Sequence, residues 1–414
     1  MEKSTGLRRS HVLLFLGMIT LSALMGRFLL AMWYTNRFDT EWYLMWAADL
    51  QQGFWNCYDG HVRALDYPPL YLCLLKPVGA LLEIDMIANY MPYRMLLIKF
   101  WPILFDTAII PAIYFLFRRE NETAALLGAC LWAVNPSAIF NCAAWGQTDS
   151  IMTLMLLLTF WAFHERRPLY GTFLFALSCL MKMQSLYFAP VVLCVFLRQR
   201  DWKGLAKALC IGFGTVVLVF LPFMIASNNY GAIVQVYFGG FGKYPYVNLN
   251  AFNLWGIQGL NWVEDSTVLF GPVTYNMVST FLMLFSFAGV MYLHTAAPKA
   301  NVWLSGALLM QCLFILTTRQ HERYQYIVMI LLLGAYLTCR HAGLLGLFGG
   351  VTFVSFWNQA LLLGKNIHSD APWVSAFPSL QSLGSVINVL LFIVTVVLCV
   401  RLACERRPMK GVSA

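Results

Sequence analysis

The sequence predicts an all-α, polytopic integral membrane protein, and three observations carry that. The 414-residue chain is 60% hydrophobic and 11% charged, too little charge to clothe a soluble surface. Its apolar runs recur at about 18–24 residues, the length that crosses the hydrocarbon of a bilayer as a helix. Its Lys and Arg gather in short loops between those runs, where they set orientation, so the net charge of +9 is no sign of nucleic-acid binding. Most of the eleven cysteines, such as Cys130, Cys179, Cys194 and Cys312, sit inside apolar runs as small hydrophobes. With only Cys57 in an outer loop and no CxxC or Cys/His spacing, the chain predicts no disulfide framework.

Lys3, Arg8 and Arg9 place the N-terminus in the cytoplasm. Residues 11–33 form the first span, too long for a signal-peptide core and lacking a small-residue cleavage site, so it is retained. Arg27 near its outer end either snorkels or faces a pocket. Residues 34–94 then form one large outer loop with a short helix at 40–50 and an apolar run at 67–83. If 67–83 crossed the membrane, Arg118-Arg119, His164 to Arg167, Arg198 to Arg200 and Glu405-Arg406-Arg407 would all turn outward. The run is therefore re-entrant or interfacial, and irregular backbone at that depth must line a protein cavity. Further spans follow at 95–117, 123–141, 150–164, 168–182, 184–198, 204–227, 276–294, 301–318, 323–340, 341–361 and 379–402. With the first they make about twelve by length, in one domain over 1–414 with both termini cytoplasmic. A second large outer loop covers 228–275 and a smaller one 362–378.

Charge beside a membrane core is expensive, which makes each such group a functional candidate. In the first outer loop, Arg37-Phe38-Asp39-Thr40-Glu41 opens the short helix, and Asp39 is equally placed to be its N-cap. Asp66-Tyr67-Pro68-Pro69-Leu70 brings a second acid, also readable as a cap before a proline-started helix. Trp145-Gly146-Gln147-Thr148-Asp149-Ser150 concentrates hydrogen-bonding groups beside a flat aromatic, which suits sugar hydroxyls and ring faces. A loop turn followed by an Asp or Ser cap has the same composition. Lys182-Met183-Gln184-Ser185 puts a cation in an outer turn, as an anion contact or a snorkelling lysine. Arg319-Gln320-His321-Glu322-Arg323-Tyr324 is the densest polar cluster next to a span. A helix through it would put Arg319 and Arg323 on one face, suited to a phosphate. The alternative is a loop of internal ion pairs. Asn248 to Trp255 mixes amides and aromatics, for sugar contact or interfacial packing.

These motifs, in this order over roughly 11–340, resemble the GT-C superfamily of polytopic glycosyltransferases. The glucosyltransferases of N-glycan assembly that use dolichyl-phosphate glucose are similar. So are the bacterial relatives of the second mannosyltransferase of GPI-anchor synthesis. The motif around Asp39 is similar to the superfamily's first-loop acidic motif, and Asp66-Tyr67-Pro68-Pro69-Leu70 to its Asp-Tyr-Pro-Pro-Leu motif. The Trp145 to Ser150 and His321 to Tyr324 motifs resemble the mannosyltransferase branch, and Lys182 to Tyr187 the glucosyltransferase branch.

The resemblance implies transfer of a hexose, mannose or glucose, with inversion at the anomeric carbon. The donor is a polyprenyl- or dolichyl-phosphate-linked sugar. The acceptor is a glycan or glycolipid at the outer or lumenal face. A first-loop Asp, here Asp39, is the implied base, with Asp66 as second choice or acceptor-orienting group. The chemistry of the residues agrees. Apolar helices supply a groove for the prenyl tail, and Arg319, His321, Lys182 and Arg94 are the cations available for its phosphate. One carboxylate must take the acceptor's proton. Glu41, Trp145, Gln147, Asp149, Glu322 and Arg323 are assigned to sugar and acceptor contacts. Fixed Arg and His charges neutralise a monophosphate leaving group without a metal, so neither metal nor other cofactor is expected. A transporter or flippase of a lipid-linked saccharide is the alternative, and a non-catalytic lipid-binding subunit a further one. No internal repeat links the halves of the chain, as transporters often show, and the polar motifs gather on one side, which favours an enzyme.

Overall fold

The computed structural model describes residues 9–33, 37–239 and 243–405. Lys3, Arg8, Arg406 and Arg407 of the orientation argument lie outside the described residues, as do the side chains of Arg37 and Phe38. All twelve segments expected to span are helical. Among the described residues, six helices are long and apolar enough to cross a membrane, beginning at Arg9, Met91, Trp202, Tyr275, Ala342 and Pro372. A seventh candidate is the pair Glu122–Ala133 and Pro136–Trp145, bent by 45° at Val134-Asn135. The other expected spans are shorter apolar helices such as Asp149–His164, Pro168–Met181, Val302–Leu316 and Tyr326–Cys339. The run expected at 67–83 is the helix Pro69–Leu82, itself only 14 residues long. This is the pattern of a multi-pass, all-helical membrane protein.

The chain divides into two compact units. The first comprises Met1–Met155, Leu180–Met183 and Val217–Gly239. Here Arg9–Trp33 packs on Met91–Phe117, which packs on Glu122–Ala133. The helix expected at 40–50 runs longer, Arg37–Gln52, and lies against Pro69–Leu82. Gly79 permits their close approach, because a Cβ there would fall 2.0 Å from the Ala47 carbonyl oxygen. Gln51 and Lys76 lock the pair, Lys76 Nζ donating to Gln51 Oε1 at 2.9 Å and Gln51 Nε2 to the Lys76 carbonyl at 3.0 Å. Tyr43, Trp46, Tyr67 and Tyr71 form an aromatic cluster between these two helices, with ring centroids 4.8–6.1 Å apart. Cys57 is buried within the loop that joins these two helices, and burial pushes its thiol up to about 12. It is therefore no thiolate nucleophile at neutral pH.

The second unit comprises Leu156–Cys179, Gln184–Val216 and Gly240–Ala414. At its centre Val302–Leu316 and Tyr326–Cys339 are buried almost all round. A helix apolar on every face needs protein on every face. Tyr275–Ala296, Ala342–Ile367 and Phe377–Cys404 pack around them.

The structure is compatible with the all-α expectation, and the loop expected at 228–275 adds a detail to it. The loop holds a small antiparallel hairpin, Val268–Phe270 with Val273–Thr274. Isolated bridges also join Tyr246 to Glu264 and Leu249 and Asn250 to His321. Backbone that leaves a helix still has to satisfy its N–H and C=O groups, and this loop does so by pairing with itself and with the 319–321 segment.

Candidate functional site

The site in the first unit is built on a break in a helix. Asn135 accepts from Ala138 N at 3.0 Å and Pro136 occupies the first helical turn. This restarts the chain after Ala133, and the restart widens into a π-helical turn, Phe140–Trp145. Such turns are frequent at functional sites. The turn closes at Gly146, whose φ is 83°, and the N–H groups of Gly146 and Gln147 both donate to the Asn141 carbonyl at 3.0 Å. The result aims Trp145 and Gln147 at the same atom. Trp145 Nε1 and Gln147 Nε2 each donate to Asp39 Oδ2 at 2.7 Å.

That contact gives Asp39 partners beyond its own helix. It lies within the first turn of Arg37–Gln52, where a negative charge suits the helix dipole. Yet its carboxylate also reaches out to two side chains more than a hundred residues away. Asp39 is half-buried, while Glu41 beside it is exposed. Trp145 and Gln147, expected to touch sugar, hold the carboxylate of the expected base. Tyr43 extends the chain of contacts, its hydroxyl 3.3 Å from Gln147 Oε1 and 3.2 Å from the Tyr67 hydroxyl. Tyr67 reaches Thr148 Oγ1 at 3.2 Å. The second acidic motif thus joins the site through Tyr67. Asp66 itself is half-buried, and it is not the cap of the following helix: Pro68 holds the N-cap position with no side-chain cap bond.

Asp149 and Lys182 form a buried ion pair within the same unit, and Asn141 Nδ2 donates to the other Asp149 oxygen at 3.0 Å. A carboxylate taken out of water requires partners of this kind. Asp149 is the first residue of the helix Asp149–His164, and its carboxylate serves Lys182 and Asn141. Lys182, expected at the donor phosphate, has its charge balanced by Asp149. Arg94, the other cation proposed there, is half-buried in the first turn of Met91–Phe117.

Sequence reasoning passes over Lys99 and Asn141, and it takes Ser150 only as part of the Trp145 to Ser150 motif. Lys99, fully buried, donates to the Ala144 carbonyl at 3.0 Å, just ahead of Trp145. Ser150 Oγ donates to the Pro102 carbonyl at 2.7 Å. Asn141, within an apolar run, gives no spacing signal of its own. A charge inside span 95–117 is the signal that finds Lys99.

Gly146 carries a direct prediction. A Cβ there would lie 3.0 Å from Lys99 Cγ and 3.3 Å from Thr40 Cγ2, on a left-handed backbone. Gly146→Ala is expected to destabilise the protein by about 1–3 kcal/mol and to lower transfer as Trp145 and Gln147 shift from Asp39. Thermal unfolding in detergent together with turnover checks it.

In the second unit the 319–324 motif is not the helix that would align Arg319 with Arg323. Arg319 has φ of 62°, which ends helical geometry, and Val302–Leu316 stops before it. Arg319 instead makes a two-point ion pair with Asp265, Nε to Oδ2 at 2.6 Å and Nη2 to Oδ1 at 3.2 Å. Glu322 is buried, 2.7 Å from Arg323 Nη1 and 3.8 Å from His321 Nδ1. His321 stands edge-on to Tyr244, with centroids 5.2 Å apart. The Asn248 to Trp255 stretch is held by amide bonds to the backbone. Asn248 holds the backbone of Leu249 and Ala251, Asn253 that of Gly256, and Asn358 pairs with both Asn250 and Phe252.

Residues 65–238 of this chain match the family model of Glycosyltransferase family 87, a GT-C-like glycosyltransferase family. The matched segment is less than half of the chain. It contains Asp66, the Trp145 to Ser150 motif and Lys182, while Asp39, Arg319 and His321 lie outside it. The match supports an enzyme, a glycosyltransferase, with a sugar donor and a glycan acceptor in the general sense. No curated protein matches the chain.

Proposed function

We propose that the chain is an inverting hexosyltransferase acting at the outer or lumenal membrane face. It takes mannose or glucose from a polyprenyl-phosphate-linked donor and passes it to a glycan or glycolipid. The observation that carries this is the carboxylate of Asp39, fixed by Trp145 and Gln147 beside a tyrosine-lined wall. Two donors on one oxygen set the direction of the carboxyl group, which a general base needs before its basicity matters.

In the proposed step the acceptor hydroxyl oxygen attacks the anomeric carbon from the face opposite the phosphate. Its proton passes to Asp39 as the bond forms. The bond from the anomeric carbon to the phosphate oxygen breaks, and its electron pair leaves with the polyprenyl phosphate. Attack from the opposite face inverts the anomeric configuration. Asp66 is the second candidate for the base or a group orienting the acceptor. Arg319 and His321 are proposed as contacts of the donor phosphate, where fixed cations stabilise developing charge.

The test is a transfer assay on purified protein with synthetic polyprenyl-phosphate mannose and glucose, read as polyprenyl phosphate released in the presence of candidate acceptors. Release that depends on Asp39 supports the reading and names the sugar. No release from either donor by folded protein overturns the choice of donor. Arg319→Ala is expected to raise KM for donor more than for acceptor, and an equal loss for both points to the Asp265 pair as purely structural.

A further inference from the structure

The second unit contains a surface cavity of about 780 Å³ that none of the chemistry above uses. Its wall includes Trp161, Arg167, Tyr170, Asp201, Lys203 and Lys207. It is formed where the turn before Pro168–Met181 meets the turn before Trp202–Ala226. Three cations face one acid, and that acid is already engaged, since Asp201 Oδ1 accepts from Gly204 N at 2.8 Å and caps the helix. Arg167 lies over the Trp161 ring, 5.7 Å from its centroid. Trp161 Nε1 is buried and has no acceptor among the described residues. Tyr170 is 50% exposed, and Trp202 at the adjoining helix start is 64% exposed. Amphipathic aromatics so exposed at the end of an apolar helix belong at the headgroup level of a bilayer.

We propose that this cavity binds the phosphate of an anionic phospholipid headgroup. Arg167, Lys203 and Lys207 neutralise the phosphate, and Trp161 and Tyr170 form the wall against the glycerol. The volume lies in the usual range for small-molecule sites. The charge pattern is that of a basic pocket at the end of membrane helices. The same turns carry Arg166, Arg198 and Arg200, so the Lys/Arg distribution assigns them to the cytoplasmic leaflet, the one rich in anionic lipid. The inference does not depend on the transfer reaction or on its donor.

The experiment titrates the full-length detergent-solubilised chain with short-chain phosphatidylglycerol and phosphatidylcholine, counting bound lipid by native mass spectrometry. The intact chain is expected to retain phosphatidylglycerol selectively. Each cation removed is expected to weaken it roughly fivefold, and the triple variant R167Q/K203Q/K207Q on the order of a hundredfold. R167K/K203R/K207R keeps the charges and is expected to keep the lipid. K207Q alone, expected to lose roughly fivefold, stands in if the triple variant does not fold. Unchanged lipid retention in folded K207Q or in the triple variant overturns the proposal. So does displacement of the lipid by inorganic phosphate or glycerol 3-phosphate at equal concentration, which would make the ligand a soluble phosphate compound.

Discussion

Asp39→Asn is expected to remove transfer while leaving a folded, membrane-inserted protein. The amide is the same size as the carboxyl and retains one oxygen to accept from Trp145 Nε1 and Gln147 Nε2, each 2.7 Å from Asp39 Oδ2. What it loses is the capacity to take a proton. A positioned base contributes about 10²–10⁴ in rate, so turnover should fall at least that far with the unfolding temperature little changed. Gln147→Leu provides the graded comparison. It deletes one of the two donors without touching the base, and should lower kcat by less than Asp39→Asn does. Near-normal turnover in Asp39→Asn would discard the assignment and make Asp66→Asn the next variant to measure. Its neighbour Tyr67 reaches the same polar network through Tyr43 and Thr148.

The fold is legible in the sequence where hydrophobicity alone decides. The first span, expected at 11–33, is Arg9–Trp33, and that expected at 204–227 is Trp202–Ala226. Bilayer thickness and the cost of an unsatisfied backbone leave a long apolar run no other option. The site is legible as a set of motifs and less so as a set of roles. Trp145 and Gln147 read as sugar contacts because an aromatic beside an amide suits a sugar. That they hold Asp39 depends on a π-helical turn and on Gly146 at positive φ, which a spacing argument cannot supply. The 319–323 motif invites a helical reading, and one left-handed residue, Arg319, removes that geometry. Lys99 and Asp106 escape notice although both are charged within a span. Their partners, the carbonyl of Ala144 and the guanidinium of Arg27, come from other helices. A sequence scan flags such a charge but cannot say what neutralises it.

Asp106→Ala should be the most destabilising single substitution away from the site. Asp106 and Arg27 pair at 2.6 Å with 0% and 1% of their side chains exposed. Trp132 Nε1 donates to the other Asp106 oxygen at 3.2 Å, and Arg27 Nη1 to the Ala133 carbonyl at 3.2 Å. The pair therefore fastens Arg9–Trp33, Met91–Phe117 and Glu122–Ala133 together. Removing the carboxylate leaves a guanidinium in an apolar interior, a loss of about 3–5 kcal/mol. Replacing both charges by apolar groups of similar size removes the desolvation penalty along with the attraction, so Arg27→Met/Asp106→Leu should lie within about 1–2 kcal/mol of the parent. Denaturant titration in mixed micelles orders the three proteins, and a double variant as unstable as Asp106→Ala would refute the argument. Activity separates structure from chemistry. If the pair only fixes how these helices meet, the double variant still transfers sugar, because Trp145 and Gln147 remain where they orient Asp39. If it is folded and inactive, a charge that sequence reasoning allows to snorkel takes part in the reaction.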